Sequence, residues 1–148
     1  MQIVRTLLIA AIASAQTSTL SDPVLVTSVS QGDAVQVATV GRVRLLGITA
    51  PRATRSVLAG EPFGREAVER LGGLVAHRWV RLEFPRRAHV GSTSHAAYVL
   101  LEDGTFVNAV LAREGLVRVT VRGSSAREQQ LLDAQTSAQA LRRGIWGR

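Results

Sequence analysis

The chain has 148 residues, no cysteine and a formal net charge of +7. That length supplies one hydrophobic core and not two, and the missing thiols exclude a disulfide scaffold. The positive excess points toward anionic partners, nucleic acid or anionic lipid, and away from acidic-surface roles.

All 18 Lys/Arg positions are arginine. A GC-biased genome produces that pattern, and so does selection for planar forks that grip phosphate. Residues 1–15 read as a secretory signal: Arg5 near the start, an apolar stretch from Leu7 to Ala13, and Ala13-Ser14-Ala15 as the cleavage site. The stretch is shorter than the roughly 20 apolar residues of a membrane span. Cleavage leaves residues 16–148 as a single domain, one charge less basic, in the cell envelope, the periplasm or the medium.

After the signal, residues 23–29, 34–40 and 42–48 are β-rich and punctuated by Gly and Asp, which predicts a three-stranded meander. Residues 62–78 place Phe63, Ala67, Leu71, Leu74 and Val75 on one helical face, with Glu66 and Glu69 toward the N-terminal end. Gly72 and Gly73 weaken that helix and point to close packing or a frayed end. Residues 79–84 alternate as a strand. Residues 95–108 read as a strand, an Asp103-Gly104 turn and a short return.

Residues 108–115 form a short helix closed by Gly115, and residues 116–121 are again extended. The last helix opens with the capping box Ser125 and Glu128 and carries Leu131, Ala134, Ala138, Leu141 and Ile145 at helical spacing, with Gly144 ending it. Trp146 is expected to anchor the C-terminus in an apolar groove. Five strands with about three helices predict an α+β, mainly β domain, a Greek-key barrel of the OB type with its core over residues 23–146.

Six segments in order, "QGDAVQV", "VRLLGITAP", "PFGREA", "VRLEF", "AAYVLLEDGTFVNAVLAREGLVRV" and "GIW", resemble the staphylococcal nuclease (thermonuclease) family. The resemblance implies an OB barrel and a calcium-dependent nuclease that cleaves DNA and RNA. Its motifs are D-G-D, then R-L-x-x-[VI]-D-x-P-E, then D-x-Y-G-R before an A-Y pair. They supply calcium-binding aspartates, a water-activating glutamate and two phosphate-binding arginines.

Carried over residue by residue, the scaffold matches better than the chemistry. Asp33 keeps the second aspartate of D-G-D as a remnant metal ligand, and Gln31 replaces the first. Arg44 matches the first phosphate arginine. Thr49 replaces the second calcium aspartate, and Arg52 replaces the glutamate. With Ala97-Tyr98 aligned to the A-Y pair, Ser94, Ser92 and Val90 stand at the second arginine, the tyrosine and the aspartate. Arg86 and Arg87 lie too far upstream to replace that arginine by spacing, yet can border the same cleft. Val121 falls at a further family aromatic.

Calcium takes about six to eight oxygen ligands and depends on carboxylates, and a guanidinium cannot serve as a base. The resemblance with these losses implies a degenerate site that needs no cofactor, calcium entering only if the site is rebuilt. Glu61 is a candidate displaced base. His77, His89 and His95 show no metal-ligand spacing, although His89 and His95 flank the old site. The leading expectation is a monomeric domain that binds nucleic acid, or another phosphate-bearing ligand, through Arg44, Arg52, Arg86 and Arg87 with little or no hydrolysis. The alternatives are an active metal-dependent nuclease and a protein-interaction scaffold.

Overall fold

The computed structural model describes residues 18–54, 60–85 and 95–147. Its strands are β1 (Thr19–Leu20), β2 (Val24–Gln31), β3 (Ala34–Val37), β4 (Gly41–Leu45), β5 (Ile48–Thr49), β6 (Trp79–Phe84), β7 (His95–Leu101) and β8 (Arg118–Val119). Helix α1 (Gly64–Val75) lies between β5 and β6, α2 (Val107–Arg113) between β7 and β8, and α3 (Ala126–Ala140) near the C-terminus, followed by a 3-10 turn at Gly144–Trp146. The signal read over residues 1–15 lies outside the described residues. Among those described, no helix is long and apolar enough to cross a membrane.

Five strands close into a barrel. Antiparallel pairings join β2 to β3, β3 to β4, β7 to β6 and β6 to β2, and a parallel pairing of β4 with β7 completes the ring. The OB-type expectation holds. Register shifts within β2, between Val26 and Ser28 and between Val29 and Gln31, bend that strand as a small barrel requires. Alternation then sends Val26, Val35, Val37, Val43, Leu45, Val80, Leu82 and Val99 inward, each 2% exposed or less. Helix α1 packs on β2 through Ala67, Leu71 and Val75, while α2 and α3 pack together with Leu111 and Leu131 fully buried.

Several boundaries differ from the sequence expectation. The second strand of the meander stops at Val37, because residues 38–40 turn into β4. The third stops at Leu45, where Leu46 and Gly47 form a turn before β5. Phe63 stands outside α1 as its N-cap, with φ at 67°. An added Cβ at Gly72 or Gly73 meets nothing within 4 Å, so close packing does not account for them and they belong to the helix end. The extended stretch at 116–121 pairs only at Arg118 and Val119, as the partner of β5. Helix α3 ends before Leu141, which is 60% exposed, and Arg142 turns to φ 51°. Trp146 is half-buried under the guanidinium of Arg118, 4.8 Å from its ring centroid.

The capping box forms in altered shape. Ser125 Oγ accepts the Glu128 N–H at 3.3 Å, but the Glu128 carboxylate reaches past Ser125 to the N–H groups of Gly123 and Ser124 and to the Ser124 hydroxyl. The Ser124 hydroxyl and N–H, as the leading contributions, hold the Glu128 carboxyl below its ordinary value. A carboxyl lowered on folding contributes stability above its unfolded pKa and loses it as pH falls through the folded one. Thermal melts across mildly acidic pH are therefore expected to show a loss of stability that Glu128→Gln reduces. An unchanged acid slope in the variant would remove Glu128 from the account.

Candidate functional site

The site is assembled around the β2–β3 turn. Gly32 and Asp33 make a two-residue connection, and a Cβ at Gly32 would stand 2.5 Å from Ala67 Cβ and 2.9 Å from Ala50 Cβ. Only glycine lets the turn, helix α1 and the segment after β5 approach so closely. Asp33 then ties the barrel to that segment: its backbone C=O accepts the Leu45 N–H at 2.8 Å, and its Oδ2 accepts the Ala50 N–H at 3.1 Å.

Gln31 has a role that its sequence position did not reveal. Its Oε1 accepts the Ala53 N–H at 3.3 Å while its Nε2 donates to the Ala53 C=O at 3.4 Å. A carboxylate offers acceptors only and could make one of these contacts. The neutral amide thus fastens the segment that carries Thr49 and Arg52 to the end of β2.

Arg44 projects outward because Val43 and Leu45 on either side of it point into the core. It lies between Ala34 of β3 and Ala96 of β7, two small neighbours that leave room around its stem. No hydrogen bond or ion pair among the described residues holds its guanidinium. Thr49 and Arg52 are both exposed, Thr49 at the end of β5 opposite Arg118 and Arg52 three residues further on.

Glu61 does come to Arg52, but to its backbone. The Arg52 N–H donates to Glu61 Oε2 and the Glu61 N–H donates to the Arg52 C=O at 2.9 Å. This pair clamps the loop shut from both sides. Its signal in the sequence was weak, since a carboxylate nine residues from its partner looks like any solvated loop charge.

Of the remaining candidates, His95 opens β7 in register with Val43, one step from Arg44, and His77 sits in the left-handed turn between α1 and β6 at φ 57°. Val121 is partly buried against the core. Arg86, Arg87, His89, Val90, Ser92 and Ser94 lie outside the described residues. Among the described residues no group of three or more His, Cys, Asp and Glu side chains is placed to hold a metal ion.

Comparison with known proteins agrees with this architecture. The family model described as "Staphylococcal nuclease homologue" matches residues 42–148. The thermonuclease of Staphylococcus intermedius is 32% identical over 128 residues, covering 84% of this chain and 76% of the relative. The thermonuclease of Staphylococcus hyicus is 30% identical over 122 residues, covering 80% of this chain and 72% of the relative.

Proposed function

The chain belongs to the staphylococcal nuclease family, and from that premise we propose that it is a nuclease-like domain which binds nucleic acid through its phosphates and hydrolyses it little or not at all. The observation that carries this reading is the contrast between Arg44 and Asp33. The phosphate arginine stands on the barrel surface without a partner among the described residues, whereas the one retained aspartate engages an oxygen with the Ala50 N–H.

The donor set does not fit a calcium ion. Thr49 offers a neutral hydroxyl where the family has a carboxylate, Gln31 is engaged with Ala53, and Arg52 adds a positive charge at the same exit. At about 4 Å and an effective dielectric near 20, a unit charge facing a divalent ion costs roughly 8 kcal/mol. Arg52 is exposed and can turn away, yet it stays protonated and cannot activate water. Glu61, held against the Arg52 N–H, acts as a loop clamp in this reading.

Phosphate binding needs none of these carboxylates. A guanidinium in a planar fork matches phosphate oxygens two at a time, and the resulting affinity falls steeply with salt. For the full chain and single-stranded DNA, the expected result is salt-sensitive binding with no cleavage in calcium beyond that in chelator. Arg44→Ala is expected to weaken binding by about an order of magnitude and to reduce the salt slope by about one phosphate contact. Calcium-dependent cleavage that Asp33→Ala abolishes would overturn the proposal.

A specific observation favours the scaffold alternative. Trp79 is 52% exposed and Leu20 49% exposed, both on strands of the same side of the barrel. Exposed aromatic side chains anchor protein partners. If DNA binding is absent altogether, that surface becomes the place to look.

A further inference from the structure

The outer face of β4 carries a second arginine, Arg42, just ahead of the stretch that holds the family motif. Arg42 and Arg44 flank the fully buried Val43 and are both exposed, so their side chains leave the same face of the strand. Resting on the reading above, that Arg44 holds a phosphate, we propose that Arg42 holds the adjacent one, and that the ligand is a single-stranded phosphodiester chain whose backbone runs along β4.

Spacing is the first support. Residues two apart on a strand stand about 7 Å from each other on one face, close to the separation of successive phosphates along a single strand. Regular pairing fixes that spacing. Arg42 faces Gln36 and Arg44 faces Ala34 across the β3 ladder, and Gly41, at φ 88°, lets the chain leave the preceding turn directly into register opposite Val37. Side chains set on a paired strand are placed more exactly than side chains on a loop.

Charge is the second support. Strands β2, β3 and β4 contain no Asp or Glu. Asp33, in the turn between β2 and β3, gives a carboxylate oxygen to the Ala50 N–H. Elsewhere in the domain Arg65, Arg70 and Arg127 are paired with Glu69, Glu114 and Glu83, each at 2.8 Å. Arg42 and Arg44 have no such partner among the described residues. Two unpaired cations this close repel each other, and a polyanion laid along the strand relieves the repulsion by pairing with both.

The third support is the place of the lost family arginine. Strands β4 and β7 run parallel, with Val43 beside His95 and Arg44 beside Ala96. In the sequence Arg42 precedes Val43 as Ser94, at the position of the family's second phosphate arginine, precedes His95. Arg42 thus brings a guanidinium on β4 to the end of β7 where the motif calls for one. On the other side, Gln36 and, beyond it, Ser28 are exposed and uncharged, which leaves sugars and bases an open surface across β3 and β2.

The test titrates the full chain with an oligo-dT of about eight nucleotides, within the site sizes of such barrels, over a range of salt. Arg42→Ala is expected to weaken binding about tenfold and to lower the slope of log affinity against log salt by about 0.7, the value of one phosphate contact on a single strand. Arg42→Ala combined with Arg44→Ala is expected to lower the slope by about 1.4. Arg42→Lys should keep the slope, because the charge remains, and lose part of the affinity, because the planar fork does not. Arg78→Ala removes an exposed cation near Leu101, at the far end of β7, and is expected to bind as the unaltered chain does. Unchanged binding by Arg42→Ala beside weakened binding by Arg44→Ala would overturn the proposal and leave the phosphate reading intact. Weaker binding by Arg42→Ala at an unchanged slope would put both guanidinium groups on one phosphate and overturn it as well. A loss in Arg78→Ala equal to that in Arg42→Ala would also overturn it, the binding then being a diffuse response to net charge. Absence of binding by the unaltered chain would overturn both readings.

Discussion

Thr49→Asp combined with Arg52→Glu is expected to give this chain a calcium-dependent cleavage of single-stranded DNA at least about a hundredfold faster than that of the unaltered chain. A positioned general base contributes roughly 10² to 10⁴ in rate, and the same pair of changes replaces a neutral group and a cation with two carboxylates on the segment whose Ala50 N–H is bonded to Asp33. The fold should tolerate both, since each side chain is exposed. The contacts that fix the loop are made by the backbone of residue 52, whose N–H and C=O meet Glu61 whatever side chain stands there. Release of acid-soluble nucleotides, with calcium and with chelator, reads the result.

The same logic separates residue 31 from residues 49 and 52. Adding Gln31→Asp completes the family's D-G-D, but it removes the donor that meets the Ala53 C=O and leaves only an acceptor for the Ala53 N–H. The triple variant is therefore expected to melt below the double variant even where calcium partly restores it. If the double variant cleaves no faster than the unaltered chain, the limiting loss lies elsewhere, Ser94 at the second arginine position being the first place to test. If the unaltered chain already cleaves at the rate of the double variant, the eroded-site reading fails.

The barrel was legible because its signals are local. Strand β6 alternates Val80 and Leu82 against Arg81 and Glu83, and the burial follows that pattern residue by residue. Helix α1 buries Ala67, Leu71 and Val75 as the helical spacing requires. The apolar period overruns the end of helix α3, because Leu141 and Ile145 continue it although the backbone leaves the helix before them. The residues that stand at the motif positions, Thr49 and Arg52, are readable from the sequence as well.

What the motif could not convey is what the replacing residues do. Gln31 looks like a missing carboxylate until Ala53, 22 residues away, is seen to meet both ends of its amide. Arg118 looks like one outward residue of a strand until Trp146 is found beneath it. Both facts depend on pairing between distant segments, and a local pattern carries no information about such partners.

The largest expected effect on stability also comes from a residue that looks ordinary in sequence. Among the described residues, Asn108 is the polar side chain that is wholly buried. Its Oδ1 accepts the Val99 N–H at 3.0 Å, and its Nδ2 donates to the Leu46 C=O at 2.8 Å. One side chain at the start of α2 thereby ties β7 to the turn that launches β5 and, beyond it, Thr49 and Arg52. Asn108→Ala strands both backbone groups, each at about 1–3 kcal/mol, so a loss of roughly 2–6 kcal/mol is expected against a typical total of about 5–15. Asn108→Asp gives a sharper test. A carboxylate cannot donate to Leu46, whereas a protonated carboxyl can. Burial raises the pKa of the introduced acid in the folded state, so the folded state holds the proton more tightly and stability falls as pH rises through that value. Melts of Asn108→Asp are thus expected to recover on mild acidification, opposite in sign to the Glu128 contribution. A variant that is as stable as the parent at neutral pH, or that does not respond to acid, would show that this amide is not what holds the β5 exit in place.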